Sequence, residues 1–344
     1  QQYWQILPLG PTGYGDSPYQ SVSTFAGNPY FINLEDLIEK GLLTRGECES
    51  CDWGGSESYV DYEKMYMSRY KLLRKAYERA DLSKDEDYAD FLKEEQNWLT
   101  DYCLFMAIKN DQKGICWIDW PEELKDRHSK AVKEAEKELE EEIDFYRFQQ
   151  YCFTTQWRKL KAYANEKGIS IIGDVPIYVA LDSSDAWANP EMLQFDKDHN
   201  PKSVAGCPPD AFSTTGQLWG NPLYDWKKLK ATGYDWWVQR MQHCLELYDV
   251  VRIDHFRGFD EYYAIPYGET TAQKGKWEKG PGMDLFNTLN KKIENLRVIA
   301  EDLGFLTKSV LEMLKESGYP GMKVLQFAFD GSENSSYLPY KYEH

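Results

Sequence analysis

The chain has 344 residues, a net charge of −17 and 42% hydrophobic residues, which is ample material for a large buried core. The negative charge argues against a nucleic-acid partner, because its phosphates would be repelled. No run of about 18 apolar residues occurs, so the sequence predicts no membrane-spanning helix. Seven cysteines in so long a chain do not indicate a disulfide scaffold, and free thiols favour a cytoplasmic location.

Short apolar runs rich in β-branched residues recur along the chain, with helical patterns between them. The predicted strands are residues 4–10, 169–179, 248–256, 296–304 and 322–329. The helices predicted among the later strands are residues 235–248, 283–296 and 307–318, the last with Thr307 as N-cap and Gly318 as its end. Alternating strands and helices predict a parallel sheet, and near-continuous apolar strands predict that both of its faces are covered.

A long insertion, residues 55–165, separates the first two predicted strands. Its repeats of charged and apolar residues predict an all-helical subdomain inserted into an α/β barrel. Two stretches rich in glycine and proline, residues 8–29 and 205–223, are interpreted as ordered loops, because apolar and aromatic residues interleave with the turn formers.

Acidic residues follow the apolar part of three predicted strands. Arg252 and Asp254 end the strand "VVRIDHF" and share one of its faces, since side chains alternate along a strand. Asp174 ends "IIGDV", and Glu301 ends "VIAEDLG". For one strand alone a buried structural ion pair explains the charges equally well. Three parallel strands that each carry an acid at the same end favour an active site, because the carboxyl ends of barrel strands open onto the catalytic loops.

The residue types at these strand ends suggest glycoside chemistry. In a retaining glycosidase one carboxylate attacks the anomeric carbon, and a second, about 5–5.5 Å away, protonates the leaving oxygen. Neighbouring strands about 4.8 Å apart could provide that separation. The chain has no glycine-rich phosphate loop, and its 15% aromatic residues could supply stacking surfaces for sugars.

Two short motifs have the spacing of metal sites, but each is better interpreted as ordinary structure. Cys48 and Cys51 lack a second cysteine or histidine pair, so we interpret them as part of a surface loop. "DKDHN", residues 196–200, is followed by Pro201 where a calcium loop needs glycine, so it is interpreted as a turn. The sequence therefore predicts neither a metal ion nor an organic cofactor.

Long motifs in a fixed order resemble those of the 4-α-glucanotransferases, or amylomaltases, of glycoside hydrolase family 77. The segments that carry this resemblance run through nearly the whole chain and are "WQILPLGPTGYGDSPYQSVSTFAGNPY", "GDVPIYVA", "GQLWGNPLYDW", "VRIDHFRGF", "AEDLG" and "PGMKVLQFAFD". The resemblance implies that Asp254 is the nucleophile and Glu301 the acid/base, with Arg252 holding Asp254 ionised. It also implies a set of sugar-binding residues, namely Tyr14, Tyr19, Asp174, Asp210, Phe212, Trp219 and His255.

The resemblance also implies a (β/α)8 barrel, of which this chain is expected to hold strands two to six. A first strand and helix are expected before "WQILPLG", and a third carboxylate is expected in an "HDN" segment shortly after His344, so both ends look cut. The expected segments are residues 1–54 with barrel strand two and a sugar-binding loop, residues 55–165 as the helical insertion, and residues 166–344 with strands three to six.

The implied activity is the transfer of α-1,4-linked glucosyl segments between maltooligosaccharides or α-glucans, with retention of configuration. The same pair of acids is compatible with a hydrolase of the α-amylase type. A glucan-binding protein without catalysis is a further alternative, because the third carboxylate is absent from this sequence. The last alternative is an ordinary barrel protein in which these charges form structural ion pairs.

Overall fold

The computed structural model describes residues 1–13, 15–210, 213–304, 306–329, 331 and 335–342. The strands among them are β1 (Tyr3–Gln5), β2 (Ser170–Val175), β3 (Ser203–Cys207), β4 (Gln217–Pro222), β5 (Val250–Ile253), β6 (Glu261–Pro266), β7 (Lys276–Lys279) and β8 (Val298–Ala300). The α-helices are α1 (Leu34–Glu39), α2 (Arg45–Glu49), α3 (Tyr62–Arg79), α4 (Glu86–Glu94), α5 (Gln96–Asp111), α6 (Glu122–Lys125), α7 (Lys130–Glu138), α8 (Glu140–Glu166), α9 (Ser184–Ala188), α10 (Trp226–Ala231), α11 (Asp235–Leu247), α12 (Met283–Lys292) and α13 (Lys308–Ser317).

Four of the predicted strands form one parallel sheet in the order β1-β2-β5-β8. Helices α8, α11 and α12 lead into β2, β5 and β8, as parallel pairing requires, since each connection must cross back to the starting edge. All four residues of β5 are buried, in keeping with a strand covered on both faces. The predicted α/β class with a parallel sheet is confirmed, and among the described residues this sheet is open rather than closed into a barrel.

The fifth predicted strand, residues 322–329, is wrong. This segment forms a 3-10 helix over Leu325–Phe329, with no strand pairing among the described residues. Leu325 and Phe327 are each half exposed and Phe329 is 82% exposed, so the apolar run is not the buried strand that its composition indicates. A short apolar run has no period that distinguishes a buried strand from another conformation.

A second, antiparallel sheet in the order β4-β3-β6-β7 contains much of the stretch interpreted as a loop, residues 205–223. That interpretation was wrong for β3 and β4. Glycine permits this pairing, because a β-carbon on Gly206 would lie 2.1 Å from the carbonyl oxygen of Gln217 on the partner strand. Strand β4 carries Trp219, so this sheet positions a predicted sugar-binding ring.

The insertion between β1 and β2 is helical from α3 to α8, as predicted. Its buried side chains belong to the same hydrophobic cluster as those of the parallel sheet, including Phe148 from α8 and Val251 from β5. The division of the chain at residues 54 and 165 stays a prediction. None of the helices in the described part of the chain is long and apolar enough to cross a membrane.

The predicted ends of the last helix are confirmed. The hydroxyl of Thr307 accepts the N–H of Val310 at 3.4 Å, and Gly318 takes the left-handed conformation, with φ +70°, after the last turn. Helix α13 leads to a chain segment that contains Met322. The N–H of Met322 donates at 2.7 Å to Asp302, which follows β8. This contact brings the segment after α13 to the end of β8.

Candidate active site

The register of the parallel sheet brings the predicted catalytic acids together. Ile253, the last residue of β5, pairs with Ala300, the last residue of β8. The residues that follow them, Asp254 and Glu301, are therefore neighbours. The N–H of Glu301 donates to the carbonyl oxygen of Ile253 at 3.0 Å, which extends the hydrogen-bond ladder to this point. Both acids therefore follow the carboxyl ends of adjacent strands.

Arg252 connects Asp254 to the acid of the neighbouring strand β2. Its guanidinium lies 2.6 Å from Asp174 Oδ1 through Nη1 and 3.0 Å from Asp254 Oδ1 through Nη2. The pairing of Asp174 with Arg252 in the register places both side chains on one face of the sheet. Arg252 is 9% exposed, so two carboxylates share one buried positive charge.

Asp174 has a partner on each carboxylate oxygen. Besides Arg252, it accepts the hydroxyl hydrogen of Tyr19 at 2.7 Å through Oδ2, and it is 3% exposed. Burial and the adjacent Asp174 raise the pKa of Tyr19, so its hydroxyl remains a donor. The predicted contact of Asp174 with sugar hydroxyls stays a prediction. In this structure Asp174 orients Tyr19 and Arg252.

Glu301 is held by two backbone N–H groups. Its Oε2 accepts from His255 at 3.0 Å and its Oε1 accepts from Leu303 at 2.7 Å. Burial raises the pKa of Glu301, the negative charge of Asp254 adds to the rise, and the N–H of Leu303 opposes it. Burial also raises the pKa of Asp254, against the opposing effect of Arg252. Such a pair suits proton transfer, because one carboxyl can hold the proton while the other keeps the charge.

His255 takes the left-handed backbone conformation, with φ 53°, which is uncommon for a residue other than glycine. Its ring lies edge-on to Trp219, with centroids 5.0 Å apart. Burial, aided by the charge of Arg257, lowers the pKa of His255 to about 4, so the imidazole is neutral near pH 7. Its Nε2 is buried and has no hydrogen-bond partner among the described residues. It could therefore bond to a ligand hydroxyl.

A cavity of about 350 Å³ opens beside these residues. Tyr19, Trp219, Asp254 and His255, all predicted site residues, line it. Arg252, Glu301 and Asp174 do not line it, but they contact the wall residues Asp254, His255 and Tyr19, respectively. The other six residues of the wall were not singled out from the sequence, and they are Ser17, Gln20, Pro176, Ile177, Tyr178 and Asn221.

The missed residues lie inside the family motifs, but they carry no charge. Their residue types therefore did not distinguish them as site residues. Gln20 connects two parts of the site, because its amide donates to Asn221 Oδ1 at 2.9 Å and to the carbonyl oxygen of Trp219 at 3.2 Å. Met322 is a further missed contact, with its sulfur 3.3 Å from Arg252 Nε. Membership of a motif was the available signal for these residues.

Asp210, another predicted sugar-binding residue, does not line this cavity. Its Oδ1 accepts the N–H of Ser213 at 2.8 Å. Tyr14 and Phe212 lie outside the described residues. Their predicted roles stay predictions.

Of the two motifs with metal-like spacing, residues 196–200 form the turn predicted from the sequence, whereas the cysteine pair, interpreted as a surface loop, begins within helix α2. Asp196 Oδ1 accepts the N–H groups of Asp198 and Asn200 at 2.8 and 3.0 Å, which is a turn. Cys48 lies within α2 as a free thiol, and Cys51, also free, follows the helix and lies 3.5 Å from the carbonyl oxygen of Glu47.

The parallel sheet and the carboxylates that follow its strands define the class: an α/β protein with a site built for acid–base chemistry. The chain belongs to the 4-alpha-glucanotransferase family, glycoside hydrolase family 77, whose model matches residues 1–344. It is 52% identical over 344 residues to the 4-alpha-glucanotransferase of Clostridium butyricum, covering 100% of this chain and 71% of that protein. It is 48% identical over 345 residues to that of Thermus thermophilus, covering 99% of this chain and 68% of the relative.

Solved structures agree with this assignment. The chain superposes on an amylomaltase from Streptococcus agalactiae in complex with acarbose with a TM-score of 0.95 and 40% identity, over 100% of this chain and 70% of that one. An amylomaltase from Corynebacterium glutamicum matches with a TM-score of 0.77 at 20% identity, over 97% of this chain and 46% of that one, which shows the common fold. The activity of this chain is that of a 4-alpha-glucanotransferase, the transfer of glucan segments.

Proposed function

We propose that this enzyme uses Asp254 as nucleophile and Glu301 as acid/base to transfer α-1,4-linked glucosyl segments between maltooligosaccharides. The observation that carries the proposal is the register of β5 and β8, which makes these two acids neighbours, together with the bond from Arg252 to Asp254. The acarbose bound to the S. agalactiae neighbour supports an oligosaccharide-like ligand. The net charge of −17 supports neutral sugars rather than a nucleic acid as the partner.

In the first step, Asp254 attacks the anomeric carbon of the donor glucan. Arg252 engages Oδ1, which leaves Oδ2 to form the bond to C1 as the bond from C1 to the glycosidic oxygen breaks. Glu301 gives its proton to that departing oxygen. The raised pKa of Glu301, caused first by burial, keeps a larger fraction of it protonated for this step.

In the second step, an acceptor sugar displaces Asp254. The Glu301 carboxylate takes the proton of the acceptor 4-hydroxyl, and the hydroxyl oxygen bonds to C1. The bond from C1 to Asp254 Oδ2 breaks, which restores the Asp254 carboxylate. Two inversions at C1 retain the α configuration. Water in place of the acceptor would give hydrolysis, so the outcome depends on how well an acceptor sugar occupies the site.

We further assign sugar binding to the cavity wall. Trp219 and Tyr19 offer ring faces to the apolar sides of glucose units, and His255 Nε2 offers a hydrogen bond to a hydroxyl. Tyr14, Asp210 and Phe212 are retained as acceptor- or donor-side contacts on the strength of the family motifs, and Asp174 as a residue that reaches sugar hydroxyls when Tyr19 moves.

The four parallel strands are proposed to belong to a (β/α)8 barrel, with residues 55–165 as its helical insertion. Asp174, Arg252 and Ile299 are aligned across three strands and form one level of side chains. Asp254 and Glu301 come two residues further toward the carboxyl ends, which is the next level on the same face. Such levels of inward side chains are typical of barrel interiors. All seven cysteines are free, which supports a reducing, cytoplasmic location.

Incubation with maltotriose tests the reaction. Transfer predicts a ladder of longer maltooligosaccharides together with glucose, whereas a hydrolase predicts glucose and maltose alone. Asp254→Asn should abolish both products yet still bind maltooligosaccharide in calorimetry, and Asp198→Asn, at an exposed aspartate, is the matched control. A full ladder from the Asp254→Asn variant would refute the assigned nucleophile. Binding by the unaltered enzyme without any turnover would favour a glucan-binding protein.

A further inference from the structure

A histidine and two glutamates converge away from the candidate active site, where the junction of α4 and α5 meets α11. Glu95 lies between α4 and α5, and His243 and Glu246 lie on α11. One ligand atom from each of the three lies within 4.8 Å of the others. His243 and Glu246 are three residues apart on a helix, so both side chains leave the same face of α11. Among the described residues this is the one group of three or more potential metal ligands so close together.

The ring of His243 is oriented as metal-binding histidines usually are. Its Nε2 lies 2.8 Å from the carbonyl oxygen of Phe25. A carbonyl oxygen can only accept, so Nε2 carries the hydrogen and Nδ1 of the neutral ring carries the lone pair. A backbone carbonyl that fixes the far nitrogen in this way is the usual second partner of a metal-bound histidine.

The distance from His243 Nδ1 to Glu95 Oε2 fits two ligands of one ion. At 3.6 Å it is too long for a hydrogen bond. Bonds of about 2.0–2.1 Å from a tetrahedral zinc ion place adjacent ligand atoms about 3.4 Å apart. A small movement of either side chain would therefore allow both atoms to bind one zinc ion.

Glu95 is fixed as a ligand would be. It is 5% exposed, its Oε1 accepts from Arg158 at 3.1 Å, and its Oε2 accepts from Trp98 Nε1 at 2.7 Å. An oxygen has two lone pairs, so Oε2 can serve Trp98 and a metal together. Metal-bound carboxylates are commonly hydrogen-bonded in this way by neighbouring groups.

A cavity of about 160 Å³ opens onto these three residues. It has room for an ion and a few waters, since a water occupies about 30 Å³ of liquid. In the described part of the chain its wall carries five carboxylates and no lysine or arginine side chain: Glu94, Glu95, Asp101, Asp185 and Glu246. Arg158 pairs with Glu94 and Glu95, and Arg127 pairs with Asp101, so these arginines offset part of the negative charge, while the remaining acids, Asp185 and Glu246, favour a cation in the cavity.

We propose that Glu95, His243 and Glu246 form a Zn²⁺ site, in which water completes a tetrahedron. The ion would join the start of α5 to α11 and, through His243, to Phe25. Phe25 lies in the loop, residues 17–28, that also carries Tyr19. The ion would therefore link three segments of the chain, and its proposal is independent of the sugar chemistry.

Calorimetric titration of the chelator-treated chain with Zn²⁺ tests the proposal. One saturable site per chain is expected, with a raised melting temperature, because a ligand that binds only the folded state stabilises it. Glu246→Gln should weaken binding at least tenfold without disturbing the fold, since Glu246 is exposed. Glu94→Gln, at the same cavity, is the control and should bind as the parent does. His243→Gln should also lose binding, while its amide can still donate to Phe25.

Cobalt distinguishes this site from the cysteines. Co²⁺ bound by nitrogen and oxygen gives tetrahedral d–d bands without the thiolate charge-transfer band that binding at Cys48 and Cys51 would produce. We expect the tetrahedral d–d bands without a thiolate band in the parent, and we expect these d–d bands to be lost in Glu246→Gln. Absence of saturable Zn²⁺ binding, equal binding by Glu246→Gln and the parent, or a thiolate band from the bound cobalt would each overturn the proposal.

Discussion

At the scale of single residues, Arg252 is the centre of the candidate active site. Arg252 is paired with Asp174 on β2 and lies two residues before Asp254 on its own strand. The register that aligns the strands therefore also places its guanidinium between these two carboxylates. The alternative of a buried structural ion pair describes the same atoms. It does not account for the cavity that Asp254 lines, or for His255 Nε2 on the same wall, which has no hydrogen-bond partner in the part of the chain that the structure describes.

Arg252→Lys should lower kcat about 10²-fold or more and change KM little. A lysine ammonium is a single point charge and cannot bridge Asp174 and Asp254 with a fixed fork, so Asp254 loses its orientation. Initial rates of maltotriose disproportionation measure the effect. Arg45→Lys is the matched control at an exposed arginine that pairs with Glu35. A rate within twofold of the parent would show that Arg252 has no part in positioning the nucleophile.

Asp174→Asn should move the acid limb of the pH profile of kcat/KM to lower pH. Burial raises the pKa of Asp254 above its ordinary value of 3.8, the negative charge of Asp174 adds to the rise, and the substitution removes that charge. Arg252, released from Asp174, then interacts more strongly with Asp254 and lowers its pKa further. Asp254 must be ionised to attack, so activity would persist to lower pH.

The alkaline limb is the internal control for this variant. It follows deprotonation of Glu301, whose raised pKa is set first by burial, with the N–H of Leu303 as the main opposing effect, and Asp174 is not among its principal causes. Rate is lost as pH rises through that pKa, because the first step needs the protonated acid. An acid limb that stays in place or moves upward would contradict the assignment of Asp254 as the nucleophile.

At the scale of elements, sequence patterns located those parts of the site that depend on strand ends. Asp254 and Glu301 could be predicted because each directly follows an apolar strand, and the same argument indicated Asp174. Tyr178 and Asn221 could not, because they are polar or aromatic residues whose place depends on how β2 and β4 approach one another. Glu95 and His243 lie 148 residues apart in the chain, and only folding brings them together.

Gly173→Ala tests how closely β2 packs. A β-carbon at Gly173 would lie 2.1 Å from the ring of Tyr248, which is 4% exposed, so the ring or the strand would have to shift. We expect a loss of about 1–3 kcal/mol in the free energy of unfolding, measured by urea denaturation. Gly46→Ala, on exposed helix α2, should be neutral or slightly stabilising, because no atom of the described residues lies within 4 Å of the added β-carbon. Equal effects of the two substitutions would disprove the close contact.

At the scale of the whole molecule, the helical insertion supports the loop that lines the candidate active site. Gln150 of α8 is 1% exposed and binds both backbone groups of Gly27: its Oε1 accepts the N–H at 2.8 Å, and its amide donates to the carbonyl oxygen at 2.9 Å. Gly27 has no side chain because a β-carbon there would lie 2.0 Å from the ring of Phe153. The sequence predicted the helices of this insertion, but not their contact with residues 17–28.

Gln150→Leu should therefore reduce both stability and substrate affinity. It leaves a buried N–H and a buried carbonyl of Gly27 without partners, at a cost on the order of 2 kcal/mol or more in the free energy of unfolding. The loop that carries Tyr19 would be less well held, so we expect KM for maltotriose to rise severalfold. Urea denaturation and steady-state kinetics measure the two effects. Nearly the same pair of bonds joins Gln156 to Asn33 at 2.6 and 3.2 Å, on the exposed surface beyond the loop.

Gln156→Leu is thus a control with matched chemistry and a different position. Water can replace its bonds to Asn33, so its cost in stability should be smaller, and KM should stay unchanged because Asn33 is outside residues 17–28. If both variants raise KM equally, the effect is a general loosening of α8. If only Gln150→Leu raises KM, the insertion supports the sugar site through Gly27, and its contact with the parallel sheet serves function as well as stability.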